Sequence, residues 1–187
     1  PPVLGYFARM CPEKGLDALV DAFVRLKQTG PIPGLKLAIG GGCQPGDKAF
    51  VEKQKARLRA AGLLGEVTFR PNLDRDAKLV FYRGLTVLSV PAPYGEAFGL
   101  YVVEAMASGV PVVAPDDASF PEIVEGNGAG VICEKDNPQA LADAIGQLLL
   151  DRERLAKCAA AGRQAAVQTH NIELMAESFV ARLAKLR

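Results

Sequence analysis

Six short apolar runs, most of them separated by enough chain for a helix, restrict this sequence to one class of architecture. The runs are Val3–Phe7, Leu35–Ile39, Val67–Phe69, Leu85–Val90, Val110–Ala114 and Gly130–Ile132. Between the first two, Leu16, Leu19, Val20, Phe23 and Leu26 recur at helical spacing. Asp47 stands where it can cap a helix running to Ala61, just before Gly62. Further helices are expected over 74–82, 98–108 and 120–124, and a helical tail over 138–150, 152–167 and 172–186. Strands alternating with helices form βαβ units, which build a mostly parallel sheet with helices on both faces. Leu35–Ile39 and Leu85–Val90 have the near-continuous apolar character of strands covered on both sides. The expected fold is therefore α/β: a doubly wound, mostly parallel six-stranded sheet followed by a helical carboxy-terminal tail. No internal repeat or shift of composition divides residues 1–187, so one domain is expected.

Several function classes drop out early. With 22 basic and 21 acidic side chains the formal charge is +1, which leaves no electrostatic footprint for nucleic acid. The longest uncharged run, Gly84–Gly95, contains Pro91 and Pro93 and falls short of the roughly 20 residues that cross a bilayer. Cys11, Cys43, Cys133 and Cys158 form no C-x-x-C pair, so neither a compact zinc site nor a disulfide framework is expected. They read as reduced thiols of a cytoplasmic protein. His170 is the single histidine, and no nucleophile–base pair can be assembled around it. It reads as a solvated or capping residue, and the site is expected to need no metal. The chain opens Pro1-Pro2-Val3 without Met or a targeting segment, and reads as a piece of something longer.

In doubly wound sheets, ligands lie outside the carboxyl ends of the strands, so the loops there hold the candidate chemistry. The loop after the first strand carries Arg9 and Lys14, two cations able to converge on one anion; solvated loop charges, with Glu13 pairing one of them, are the bland alternative. The loop after the fourth strand carries Glu96 and leads through Phe98, Gly99 and Leu100 into a helix. The free N–H groups at that helix start can bind an anion. Glu104 lies inside the helix, almost opposite the Val102, Ala105 and Met106 face, so its expected partner is water or a ligand hydroxyl. Two carboxylates beside a cation-lined anion site suit a sugar nucleotide; two surface glutamates favoured by the helix dipole are the bland alternative. Gly40-Gly41-Gly42 matches neither phosphate-loop pattern and reads as a plain turn, and Glu122 as a first-turn glutamate. Arg182, Lys185 and Arg187 around Phe179, Val180 and Leu183 read as the solvated face of a packing helix rather than as a membrane-binding surface.

Three stretches together resemble the group 1 retaining glycosyltransferases of the GT-B fold. They are Gly5–Arg9 continuing through Pro12–Gly15, Glu96–Leu100 with Glu104, and Glu104–Val113; Phe120–Val124 followed by Gly130 extends the likeness. The resemblance implies a Rossmann-like donor domain, the carboxy-terminal half of a two-domain enzyme whose amino-terminal acceptor domain is absent here. It implies that Arg9 and Lys14 hold the diphosphate of a nucleotide-sugar donor, assisted by the N–H groups of Phe98, Gly99 and Leu100. Glu96 would contact the sugar hydroxyls and Glu104 the ribose. Arg9, Lys14 and Glu96 are thus the catalytic candidates and Phe98, Gly99, Leu100 and Glu104 the donor-binding ones. Transfer with retention, no metal or other cofactor, and a cytoplasmic location with peripheral membrane contact as a second option complete the expectation. Ala8, Ala92 and Ala97 depart from residues common in the family, and Ala8 can crowd a close ligand. Base contacts are expected in the loop Arg70–Leu73, largely through backbone. Two other readings remain open: a GT-B relative acting otherwise on nucleotide sugars, such as an epimerase, and a non-catalytic nucleotide-binding regulatory module.

Overall fold

The computed structural model describes residues 1–30 and 32–184. In chain order the elements are β1 (Val3–Phe7), α1 (Leu16–Thr29), β2 (Lys36–Gly41), α2 (Lys48–Ala60), β3 (Val67–Pro71), α3 (Arg75–Arg83) and β4 (Val87–Ser89). There follow α4 (Leu100–Ala107), β5 (Val112–Pro115), β6 (Gly130–Cys133), α5 (Pro138–Leu150), α6 (Arg152–Gln168) and α7 (Ile172–Ala184). Short 3-10 turns occupy Pro12–Lys14, Pro45–Asp47 and Leu64–Glu66, and a wide π turn occupies Pro121–Glu125. All six strands pair in parallel in the order β3-β2-β1-β4-β5-β6. The expected α/β, doubly wound class is what the chain adopts, and the sheet is wholly parallel.

Alternation along the strands builds two cores, one on each face. Leu4 and Tyr6 of β1, Leu37 and Ile39 of β2, Val87 of β4 and Val113 of β5 pack with α1, α2 and α5. Leu88 of β4 and Val112 and Ala114 of β5 face the other way, onto Tyr82 of α3, α4, the Pro121–Glu125 turn and Ala165 and Ala166 of α6. Helix ends are fixed by short polar side chains: Asp74 accepts from the Ala77 amide, Asn137 from Gln139 and Ala140, and Asp151 from Arg154.

The order reverses between β1 and β4, with β2 and β3 on one side and β5 and β6 on the other. This is the switch point of a doubly wound sheet, where the loops after β1 and β4 diverge and leave a crevice.

Four expectations need correction. Gly40 and Gly41 belong to β2 rather than to a turn, because a Cβ on Gly41 would meet the Ala8 carbonyl oxygen at 2.0 Å; the glycine lets two strand-end loops touch. β4 is three residues long, since Thr86 meets β1 partly through its side chain, its hydroxyl accepting from the Val3 amide. Asp47 precedes α2 but gives that helix no side-chain cap. α7 buries none of its described side chains, so Met175, Phe179, Val180 and Leu183 are exposed rather than packed. Pro31 and the terminal residues Lys185, Leu186 and Arg187 lie outside the described residues. Among the described residues no helix is long and apolar enough to cross a membrane.

Candidate functional site

The loop after β1 descends from Phe7 through Arg9 into the turn Pro12–Lys14, and Gly15 ends that turn in the left-handed region at φ +69°. A Cβ there would sit 1.9 Å from the Pro91 carbonyl oxygen, so glycine lets this loop lie directly on the loop after β4. The contact brings Lys14 to Glu96. Lys14 Nζ donates to the Glu96 carboxylate at 2.5 Å, across 82 positions of sequence. The Tyr101 hydroxyl donates to the same oxygen at 2.9 Å. Glu96 is only 15% exposed. Burial pushes its pKa up, but the hydrogen bonds from Lys14 and Tyr101 outweigh this and hold it below the usual carboxylate range. In return, burial and the Glu96 charge push the Tyr101 hydroxyl far up, so it stays a donor.

α4 begins at Leu100, with Gly99 ahead of it at φ +76°. The Glu96 side chain lies over Gly99, whose Cβ, if present, would be 3.3 Å from Glu96 Cγ. Leu100 and Tyr101 sit in the first turn, whose N–H groups have no acceptor within the helix. Phe98 is half exposed and meets the His170 ring edge-on at 6.2 Å between centroids. His170 also contacts the Asn127 amide at 3.3 Å, so it is a half-buried packing residue rather than a solvated one.

Glu104 lies one turn further along α4, and its partners differ from those expected. Lys78 Nζ donates to one carboxylate oxygen at 2.6 Å and the Tyr82 hydroxyl to the other at 3.0 Å. Both come from α3, which a single-helix projection does not contain. The three side chains line a groove of about 300 Å³ between α3 and α4. The two glutamates are thus held alike, each by one lysine and one tyrosine hydroxyl.

Arg9 pairs with a different carboxylate from Lys14. Its Nε donates to Asp47 at 3.2 and 3.1 Å and its Nη2 at 2.8 Å. The expectation that Glu13 pairs with a loop cation fails for Arg9, whose ion-pair partner is Asp47. The seven candidates therefore share the carboxyl rim and α4 but form separate clusters: Lys14 with Glu96 over Gly99 and Leu100, Glu104 with Lys78 and Tyr82, Arg9 with Asp47, and Phe98 with His170. A neighbouring hollow of about 390 Å³, lined by Pro12, Gly15, Pro91–Tyr94 and Leu141 among others, includes none of the charged candidates. Among the described residues no group of three or more His, Cys, Asp or Glu is arranged to hold a metal ion.

Residues 1–165 match the family described as Glycosyl transferases group 1. The chain belongs to the group 1 glycosyltransferases. This group 1 domain is 35% identical over 184 residues to the lipopolysaccharide core biosynthesis mannosyltransferase LpsB of Rhizobium meliloti, covering 95% of this chain and 50% of that protein. Among solved structures it superposes on sucrose-phosphate synthase of Thermosynechococcus elongatus with a TM-score of 0.86 and 29% identity, covering 99% of this chain and 45% of that one. It also superposes on the C-terminal domain of a group 1 family protein, LpcC of Francisella tularensis, with a TM-score of 0.78 and 26% identity, covering 91% of this chain and 87% of that one. The group 1 chain thus spans about half the length of the curated relatives it matches.

Proposed function

We propose that this domain is the donor-binding half of a retaining glycosyltransferase, taking a nucleoside-diphosphate sugar. The observation that carries the reading is the Lys14–Glu96 contact across the switch point, over the start of α4. A cation, a helix N-terminus and a carboxylate that can accept from hydroxyls meet at one spot, a combination that suits a diphosphate joined to a sugar.

In this reading Lys14 and Arg9 face the diphosphate and stabilise the negative charge that grows on it as the bond to the sugar breaks. The N–H groups at the start of α4, from Phe98 to Leu100, add dipole support. Glu96, kept ionised by Lys14 and Tyr101, accepts from sugar hydroxyls. Glu104, set by Lys78 and Tyr82, accepts from the ribose. Two cations and a helix terminus supply the charge neutralisation, so the reaction needs no metal. The acceptor is held by a separate amino-terminal domain, and residues 1–187 alone bind donor weakly and transfer little sugar. Four free thiols fit a reducing compartment, and we place the protein in the cytoplasm.

Calorimetric titration of this chain with UDP, GDP and ADP tests the reading. One of them is expected to bind in the sub-millimolar range. Arg9→Ala and Lys14→Ala should each weaken it about 10- to 100-fold, the worth of a charge-assisted hydrogen bond. If no nucleoside diphosphate binds at millimolar concentration, or both variants bind as the parent does, the donor-site reading fails.

A further inference from the structure

Asp47 is the one charged residue among those described that the fold buries, with only 5% of it exposed. A carboxylate so short of water needs hydrogen bonds in its place. It has them: Oδ2 accepts from the Gln44 amide at 2.8 Å, and both oxygens accept from the Arg9 fork. Arg9 beside it and the Gln44 amide hold its carboxyl below the usual range. The side chain turns away from the helix it precedes, toward the loop after β1.

The main chain around Arg9 is fixed as well. The buried Tyr6 hydroxyl donates to the Arg9 carbonyl at 2.7 Å, and the Met10 amide donates to the Gly42 carbonyl at 2.7 Å. Nε and Nη2 are taken by Asp47, while no hydrogen bond engages Nη1 among the described residues. The side chain is still 51% exposed. Arg9 is therefore gripped along one edge and open along the other.

We propose that Asp47 is the positioning residue of the anion site, holding the Arg9 guanidinium so that its free edge meets the donor diphosphate. This rests on the donor-binding reading above. Two effects of Asp47 on anion binding oppose each other. Its charge offsets part of the attraction of Arg9, whereas its bidentate grip orders a long side chain before the ligand arrives and removes that entropy loss from binding. The burial, the backbone amide and the two-point geometry favour the second effect. A carboxylate meant only to screen Arg9 has no need of a buried seat.

The test separates position from charge by titrating three variants with the nucleoside diphosphate that binds the parent. Asp47→Asn keeps an acceptor in place but removes the charge; Asp47→Glu keeps the charge but pushes the fork outward by one methylene; Asp47→Ala removes both. Positioning predicts affinity within about threefold of the parent for asparagine, and about a tenfold loss for glutamate and for alanine. In an Arg9→Ala background, Asp47→Ala should then cost no further affinity. Circular dichroism checks folding, and if the alanine variant is unfolded the asparagine–glutamate comparison decides alone. Equal or tighter binding by Asp47→Glu, or tighter binding by Asp47→Asn and Asp47→Ala than by the parent, overturns the inference. If Arg9→Ala weakens binding while Asp47→Glu and Asp47→Ala do not, only the positioning role falls. If Arg9→Ala itself binds as the parent does, Arg9 is not in the anion site and Asp47 has nothing there to position.

Discussion

Replacing Gly15 with alanine puts a methyl carbon 1.9 Å from the Pro91 carbonyl oxygen, far inside the ~3.5–4.0 Å at which non-bonded heavy atoms rest. The obstacle is backbone, so no side chain can rotate aside. The variant carries two costs. A non-glycine residue at φ +69° loses about 1–2 kcal/mol, and forced repacking at a buried contact adds about 1–3 kcal/mol. Gly30 separates these terms, because it has nearly the same backbone, φ +67°, and among the described residues, its chain neighbours aside, nothing lies within 4 Å of its Cβ position. Gly30→Ala should therefore lose only the first amount. In urea unfolding extrapolated to water, Gly15→Ala should be less stable than Gly30→Ala by about 1–3 kcal/mol, or about 2–4 °C in Tm per kcal/mol. Parting these loops also parts Lys14 from Glu96, so nucleoside diphosphate affinity should fall in the first variant and not in the second. Equal losses of stability would refute the claim that the close contact of the two loops carries energetic weight.

Acid should loosen the same region. Asp47 and Glu96 both have folded-state pKa values below their ordinary values of 3.8 and 4.5, so their stabilisation is present above those values and disappears as pH falls through the lower folded ones. Unfolding midpoints measured from pH 6 down should drop below about pH 4, and Glu96→Gln should flatten that slope; an unchanged slope would count against the Lys14–Glu96 pair as a folded-state contact. Tyr82→Phe should lose about 1 kcal/mol in urea unfolding, the worth of one hydrogen bond, because Glu104 keeps Lys78 and partial solvent exposure. A loss above ~3 kcal/mol would mean that the ring packing, not the hydroxyl, had been disturbed.

The sheet was legible because parallel strands covered on both faces must be apolar almost throughout, and Val3–Phe7 and Leu35–Ile39 are. Gly40 and Gly41 escaped because glycine ordinarily marks a turn, whereas here it permits a close pass of the Ala8 backbone at the end of β2. That Lys14 and Glu96 lie on neighbouring loops at the strand ends was readable from the element order. Their partner Tyr101, and the Lys78 and Tyr82 that hold Glu104, were not. The contacts of Lys78 and Tyr82 join separate helices, and that of Tyr101 reaches back five residues from the first turn of α4 into an irregular loop, so no periodicity records them. One signal was available: a tyrosine on the inner side of a helix needs an acceptor for its hydroxyl, and both Tyr82 and Tyr101 found a glutamate. Asp47 was misread because an aspartate before a helix is most often its cap; its side chain leaves α2 uncapped and serves Arg9 and, as the third residue of a capping box on the turn Pro45–Asp47, the Gln44 amide.

The two apolar layers lie on opposite faces of the sheet, and the charged rim straddles them. Lys14 leads into a helix of one layer, while Glu96 leads into α4 of the other. Their contact is a rivet through a seam: when one layer slides against its counterpart, the gap between ammonium and carboxylate changes at once. Sliding of the layers is thereby registered at the spot proposed for the donor, and a ligand bridging both groups there would resist it.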